Sequence, residues 1–229
     1  MKGLLPVVIL LAAQLAFLSA GDASTVVHHN AMSICALIIN ELTEGRISVS
    51  DAKQISLAIA EAGNRHFGRV TCGDMWLYMS IVHVESGFKK SVVNHHNCRG
   101  MFQIHAPSWA RKFGVRYSDL LDVRTNADIG VQVFKYYLEM YKYLIPALSA
   151  YNSDHPRAAK GYAHAVLNTR RHIRKRYTEL YKAFRAVQNT AQECPGESDE
   201  APDRVGREES GARIMRACDA GRPDSGACR

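Results

Sequence analysis

The chain has no C-x-x-C pair, no internal repeat and, beyond its first twenty residues, no apolar run long enough to cross a bilayer. The missing C-x-x-C argues against a zinc site built on paired cysteines. The missing apolar run argues against a second membrane-spanning segment, which needs about 20 such residues. A further gap is local: residues 87–105 contain neither Asp nor Glu. Any acid chemistry near that stretch must therefore draw its carboxylate from elsewhere.

What is present begins with Lys2, an apolar run from Leu4 to Leu18 broken only by Pro6 and Gln14, and the small residues Ser19-Ala20-Gly21-Asp22-Ala23. That order is the pattern of a secretory signal. Residues 1–20 are expected to be a signal peptide, cleaved between residues 20 and 23. A body over residues 25–188 and a disordered tail over 189–229 are expected to follow. The tail is rich in Gly, Pro, Ser and charge and has no apolar periodicity.

Net charge is +7, yet residues 189–229 hold nine acids against six Arg, so the body is strongly basic. A basic body suits an anionic partner, such as an acidic wall polymer, a membrane surface or a nucleic acid. Export argues against nucleic acid. Charge alone is equally compatible with a surface that only aids solubility.

Six cysteines in an exported chain point to disulfides, with fifteen possible pairings. Cys72 and Cys98 bracket Glu85, so a bridge between them, or from Cys35 to one of them, is expected to staple the site. Cys194, Cys218 and Cys228 lie in the tail; at least one must pair with the body, pair between chains or stay free.

Apolar spacing of three and four predicts a mainly helical body. Helices are expected over 31–42, from Ser50-Asp51 to about 62 and ended by Gly63-Asn64, and from 75 to 85 and ended by Gly87. Residues 87–105 read as a long loop with a small β-hairpin. Short helical pieces follow at Pro107 and Ser118-Asp119. Longer helices are expected over 126–143, with Ile129, Val133, either Tyr136 or Tyr137, and Met140 on one side, from Pro146, and over 157–187. The last carries a stripe from Tyr162 through Ile173 to Val187 and a basic face of Arg170, Arg171, Arg174, Lys175 and Arg176.

Glu85 is the candidate catalytic residue. Tyr78, Ile81, Val82 and Met75 share its helical face. A carboxyl on an apolar face is desolvated, which raises its pKa and keeps it protonated near neutral pH. That is the state a general acid needs to protonate a glycosidic oxygen. Two-carboxylate glycosidases need a partner acid, and none is near in sequence. Asp119, Asp122, Asp128 and Asp154 approach only through folding, so a one-carboxylate mechanism fits.

A series of short motifs then falls in order: Glu85-Ser86-Gly87-Phe88, Asn94, Gly100-Met101-Phe102-Gln103-Ile104, Pro107-Ser108-Trp109-Ala110, Asn126 to Gly130, Ala150-Tyr151-Asn152 and Tyr162. Together they resemble the soluble lytic transglycosylase domain of the goose-type lysozyme superfamily, over about residues 65–180. The resemblance implies a lysozyme-like helical fold with a groove for peptidoglycan glycan strands. It implies non-hydrolytic cleavage between N-acetylmuramic acid and N-acetylglucosamine, leaving a 1,6-anhydro end. Glu85 matches the acid/base. Ser86 and Gln103 match groove-lining positions, Met101 and Phe102 would shape a sugar subsite, Tyr151 and Asn152 match a pair near the acid, and Tyr162 matches a further groove aromatic. The resemblance implies no cofactor and no metal.

Ser153-Asp154-His155-Pro156 departs from the Gly-containing turn usual after Tyr-Asn, and Cys98 stands where small residues are common. A small exported enzyme with a Cys-bearing tail also resembles the transglycosylases dedicated to type IV secretion and conjugation. That resemblance makes envelope secretion components candidate partners of the tail, in a periplasmic and monomeric protein. The rivals are a goose-type muramidase that uses water and a non-catalytic glycan-binding scaffold. His83-Val84-Glu85 also fits the H-x-E of zinc deaminases, but their P-C-x-x-C partner is missing.

Overall fold

A computed structural model describes residues 23–192. The expected signal peptide, and the tail beyond residue 192, lie outside the described residues. Seven helices and one two-stranded sheet make up the described chain, the mainly helical fold with a small hairpin that the sequence predicts. In order these are α1 (Ala23–Leu42), α2 (Val49–Phe67), α3 (Cys72–Ser86), β1 (Cys98–Arg99), β2 (Ile104–His105), α4 (Ala106–Trp109), α5 (Val123–Tyr141), α6 (Leu144–Ser153) and α7 (Lys160–Gln192), with a 3-10 turn at Tyr117–Leu121 before α5.

Helix α2 packs mainly on α1 and α5, α3 mainly on α7, and α6 bridges α5 and α7. The shared core runs from Met32 to Leu180 and includes Ile38, Ile39, Ile55, Ile59, Met79, Ile81, Phe102 and Phe134. Helices α2 and α5 each bury one face, whereas α3 is buried without a break from Leu77 to Val82.

Several boundaries differ from the sequence reading. Gly63-Asn64 does not end α2, which runs on to Phe67. Gly63 is there for close approach: a Cβ on it would lie 2.2 Å from Val70 Cγ2. Helix α3 starts at Cys72 and is capped by Thr71, whose hydroxyl accepts from Asp74 N while the Asp74 side chain accepts from Thr71 N. That reciprocal pair satisfies two backbone donors that the first turn leaves open. Helix α7 opens at Lys160 and continues to Gln192, so residues 189–192 belong to a helix rather than to the tail. On α5, Tyr137 is the buried tyrosine of the pair, and Met140 faces solvent, 48% exposed, against expectation.

The hairpin is antiparallel, with Cys98 opposite His105 and Arg99 opposite Ile104. Asn94 prepares it: its Oδ1 accepts from His96 N and Cys98 N, both at 2.9 Å. Of the expected site-stapling bridges none is seen, since each would use Cys35 or Cys98 and both are thiols here. Cys35 lies inside the core, where burial, with a smaller contribution from Cys72, pushes its thiol up to about 12.

Candidate active site

Helix α3 delivers Glu85 from its last turn. Gly87 ends the helix in the left-handed conformation, its N–H donating to His83 O. Phe88 follows at φ +64, also left-handed, with its ring fully buried. A bulky residue in that region is strained, and the buried ring holds it there. The two reversed residues turn the chain away immediately after Glu85, so no further helical turn covers the carboxyl.

Met75, Tyr78, Ile81 and Val82 are all buried, which is the apolar face the sequence predicts. Burial raises the Glu85 carboxyl to about 7; a hydrogen bond from Tyr162, which favours the ionised form, opposes this and loses. The Tyr162 hydroxyl donates to Glu85 Oε1 at 2.6 Å. Tyr162 comes from the first turn of α7, 77 residues further along the chain, so the pair exists only through the packing of α7 on α3.

Opposite α3 lies the Gly100–Gln103 turn between β1 and β2. The Ser86 hydroxyl donates to Met101 O at 2.8 Å and to Val82 O at 3.2 Å. The Tyr151 hydroxyl donates to Phe102 O at 2.9 Å. Gln103, at φ +47, bends its amide back on its own turn, Nε2 donating to Gly100 O at 2.9 Å and, more weakly, to Val92 O at 3.4 Å. Burial raises the Cys98 thiol on β1, with a smaller contribution from the Glu85 charge.

Of the expected site residues, Tyr162 bonds Glu85 and Ser86 adjoins it; the others take different places. Met101 and Phe102 are 0% exposed. Their side chains fill the core rather than a sugar subsite, because the hairpin lies flat on α5; it is their backbone carbonyls that face Ser86 and Tyr151. Asn152 is exposed at the end of α6. His83 packs 5.8 Å from the Phe88 ring, its Nδ1 buried without a hydrogen-bond partner among the described residues.

The four distant aspartates are all engaged elsewhere. Asp119 accepts from Arg116 Nε at 3.1 Å. Asp122 caps α5 through Thr125 N at 2.8 Å. Asp128 pairs with Arg65 and, at 2.7 Å, with His66. Asp154 accepts from the Tyr137 hydroxyl.

The structure also assigns a place to residues that sequence reasoning left without one. Asn126, fully buried, bonds two backbone groups of the hairpin turn and one of the 3-10 turn before α5. Its signal was legible: a polar residue on the same stripe of α5 as Ile129 and Val133. Ser149, also fully buried, accepts from Ala159 N at 2.9 Å and donates to His155 O at 3.2 Å. It ties down the loop that leads from Tyr151 to Tyr162, and nothing in the sequence marks it out among the other serines.

Residues 73–184 match the family model described as the Transglycosylase SLT domain, and that stretch of the chain is an SLT domain. Among solved structures, the 70 kDa soluble lytic transglycosylase Slt70 of Escherichia coli is similar, with 19% identity and a TM-score of 0.36 over 64% of this chain and 26% of that one. This chain thus covers about a quarter of the length of that enzyme. No curated protein matches.

Proposed function

We propose that this chain is a peptidoglycan lytic transglycosylase, exported to the periplasm, with Glu85 as its acid/base. The observation that carries the reading is the Glu85 carboxyl, held near pKa 7 by burial and, among the described residues, bonded by Tyr162 and by no second acid. The SLT domain supports the substrate class.

In the first step protonated Glu85 gives its proton to the glycosidic oxygen between N-acetylmuramic acid and N-acetylglucosamine. The C1–O bond breaks, and the leaving sugar departs as an alcohol. Glu85 is now a carboxylate, the form that the Tyr162 hydroxyl favours. The oxocarbenium-like muramyl centre is stabilised by the acetamido oxygen of the substrate. In the second step Glu85 takes the proton of the C6 hydroxyl, whose oxygen closes on C1. A 1,6-anhydro ring forms, Glu85 is again protonated, and no water is consumed.

The hydrolytic alternative needs a group to position a water, and the four aspartates that could serve are each held by another partner. Local opening of the wall for a secretion or conjugation machine is the proposed setting, supported by the resemblance to that subgroup.

Mass spectrometry of purified peptidoglycan digested by the mature protein and by Glu85→Gln tests the reading. Anhydromuramic ends from the wild type, lost in the variant, are expected. Reducing ends, heavier by one water, would overturn it in favour of a hydrolase. No cleavage by either protein would favour a scaffold.

A further inference from the structure

We propose that Asn126 is a positioning residue for the Glu85 site, pinning the Arg99–Phe102 turn where its carbonyls hold Ser86 and Tyr151. The inference rests on the reading of Glu85 as acid/base.

Asn126 lies in the first turn of α5, fully buried. Its Oδ1 accepts from Phe102 N at 2.8 Å, and its Nδ2 donates to Arg99 O at 2.9 Å and to Leu120 O at 2.8 Å. The amide is thus used on both its donor and its acceptor side, to both ends of the turn and to the segment before α5. Asp has the acceptor without the two donors, and Gln carries the same groups one methylene further out.

The turn is seated directly on that amide. Gly100 has φ +70, and a Cβ there would lie 2.2 Å from Asn126 Nδ2 and 2.4 Å from Leu120 O. One helical turn along α5, a Cβ on Gly130 would meet Phe102 Cγ at 2.3 Å. Helix α5 therefore fixes the turn by a polar pin and by a flat seat for the Phe102 ring.

The other side of the same turn faces the site. Met101 O takes the Ser86 hydroxyl at 2.8 Å and Phe102 O takes the Tyr151 hydroxyl at 2.9 Å. Ser86 adjoins Glu85 on α3, and Tyr151 feels the Glu85 charge. The turn is the spacer between α5 and the two elements that enclose the carboxyl. Freed from Asn126, it shifts away from Ser86 and Tyr151 and admits water beside Glu85. A rival account holds that Asn126 adds only stability, like the buried Ser56 hydroxyl, which donates to Ala52 O at 2.9 Å within α2.

The test uses the mature protein, Asn126→Ala, Gly100→Ala and the control Ser56→Ala. Gly100→Ala keeps the amide and displaces the turn, so it carries the test if Asn126→Ala fails to fold. The first readout is the Glu85 carboxyl titration by carbon NMR; the second is kcat and KM on peptidoglycan. Both site variants are expected to move the Glu85 midpoint from about 7 down toward the ordinary glutamate range. They are expected to lower kcat about 10- to 100-fold, the scale of a misplaced catalytic group, with KM little changed. Ser56→Ala should move neither. An unmoved midpoint and kcat in a folded site variant, with only Tm lowered, would overturn the inference, as would a wild-type midpoint already in the ordinary range. A wild type that titrates high but cleaves nothing would sink the lytic transglycosylase reading, while the titration still decides Asn126.

Discussion

At Glu85 two opposed effects set the chemistry. Burial favours the neutral acid, the Tyr162 bond favours the carboxylate, and burial wins, leaving the group near 7. Proton donation needs the acid form, so kcat/KM is expected to fall as pH rises through about 7; a pH–rate profile checks this. The same shift has a stability consequence. The folded-state pKa lies above the ordinary glutamate value of 4.5, so the folded protein binds the proton more tightly than the unfolded chain. The stabilising share of that proton is fully present below 4.5 and is lost as pH rises through about 7. Above that, ionised Glu85 costs the fold up to about 3 kcal/mol. Glu85→Gln removes the charge but keeps an acceptor for Tyr162. It is expected to be inactive yet more stable than wild type at pH 8, and equally stable at pH 4, as followed by chemical denaturation at both pH values. A variant equally stable at both would mean that the carboxyl is not desolvated.

Helix α3 shows how an element prepares a residue. Its start is closed by the Thr71–Asp74 capping box and its end by the left-handed Gly87, which together place Glu85 in the final turn. Thr71→Ala removes the hydroxyl that accepts from Asp74 N at 3.3 Å. It is expected to cost about 1 kcal/mol in urea unfolding with kcat and KM unchanged, because the cap lies at the opposite end of the helix from the acid. A matching loss of kcat would mean that the register of α3 depends on the cap. The hairpin shows the converse, since its two-residue strands are too short to stand alone. Besides its backbone bonds, such as Gly100 N to Val92 O at 2.9 Å, it holds its shape through the side chains of Asn94, Gln103 and Asn126, which bond backbone.

For the whole molecule, α7 is the element that closes the site. It packs on α1, α3 and α6, brings Tyr162 to Glu85, and on its far side binds Glu41 of α1 through Arg176 at 2.8 Å. Among the described residues the buried positions run from Met32 to Phe184. A chain ended after Gln192 keeps all of them. It is expected to melt within about 2 °C of the full chain and to cleave isolated peptidoglycan at the same rate, checked by calorimetry and product release. A lower Tm would show that the segment beyond residue 192 packs on the body.

The helical class, the hairpin between two helices and the place of Glu85 on an apolar face were all legible in the sequence, because periodicity and turn residues act over a few neighbours. So was the absence of a nearby second acid. Local signals misplaced the end of α2, because Gly63 reads as a stop whereas in the fold it is a contact with Val70. Motif reasoning placed Met101 and Phe102 in a groove, because a sequence does not say which of a residue's two parts, side chain or carbonyl, faces the site. The Tyr162–Glu85 bond, the pairing of Asp128 with Arg65 and the reach of Asn126 to Arg99 and Phe102 join residues far apart in the chain. They were decided by how α7 packs on α3 and how α5 packs on α2 and the hairpin, and packing of that range depends on the shape of the whole core rather than on any stretch of it.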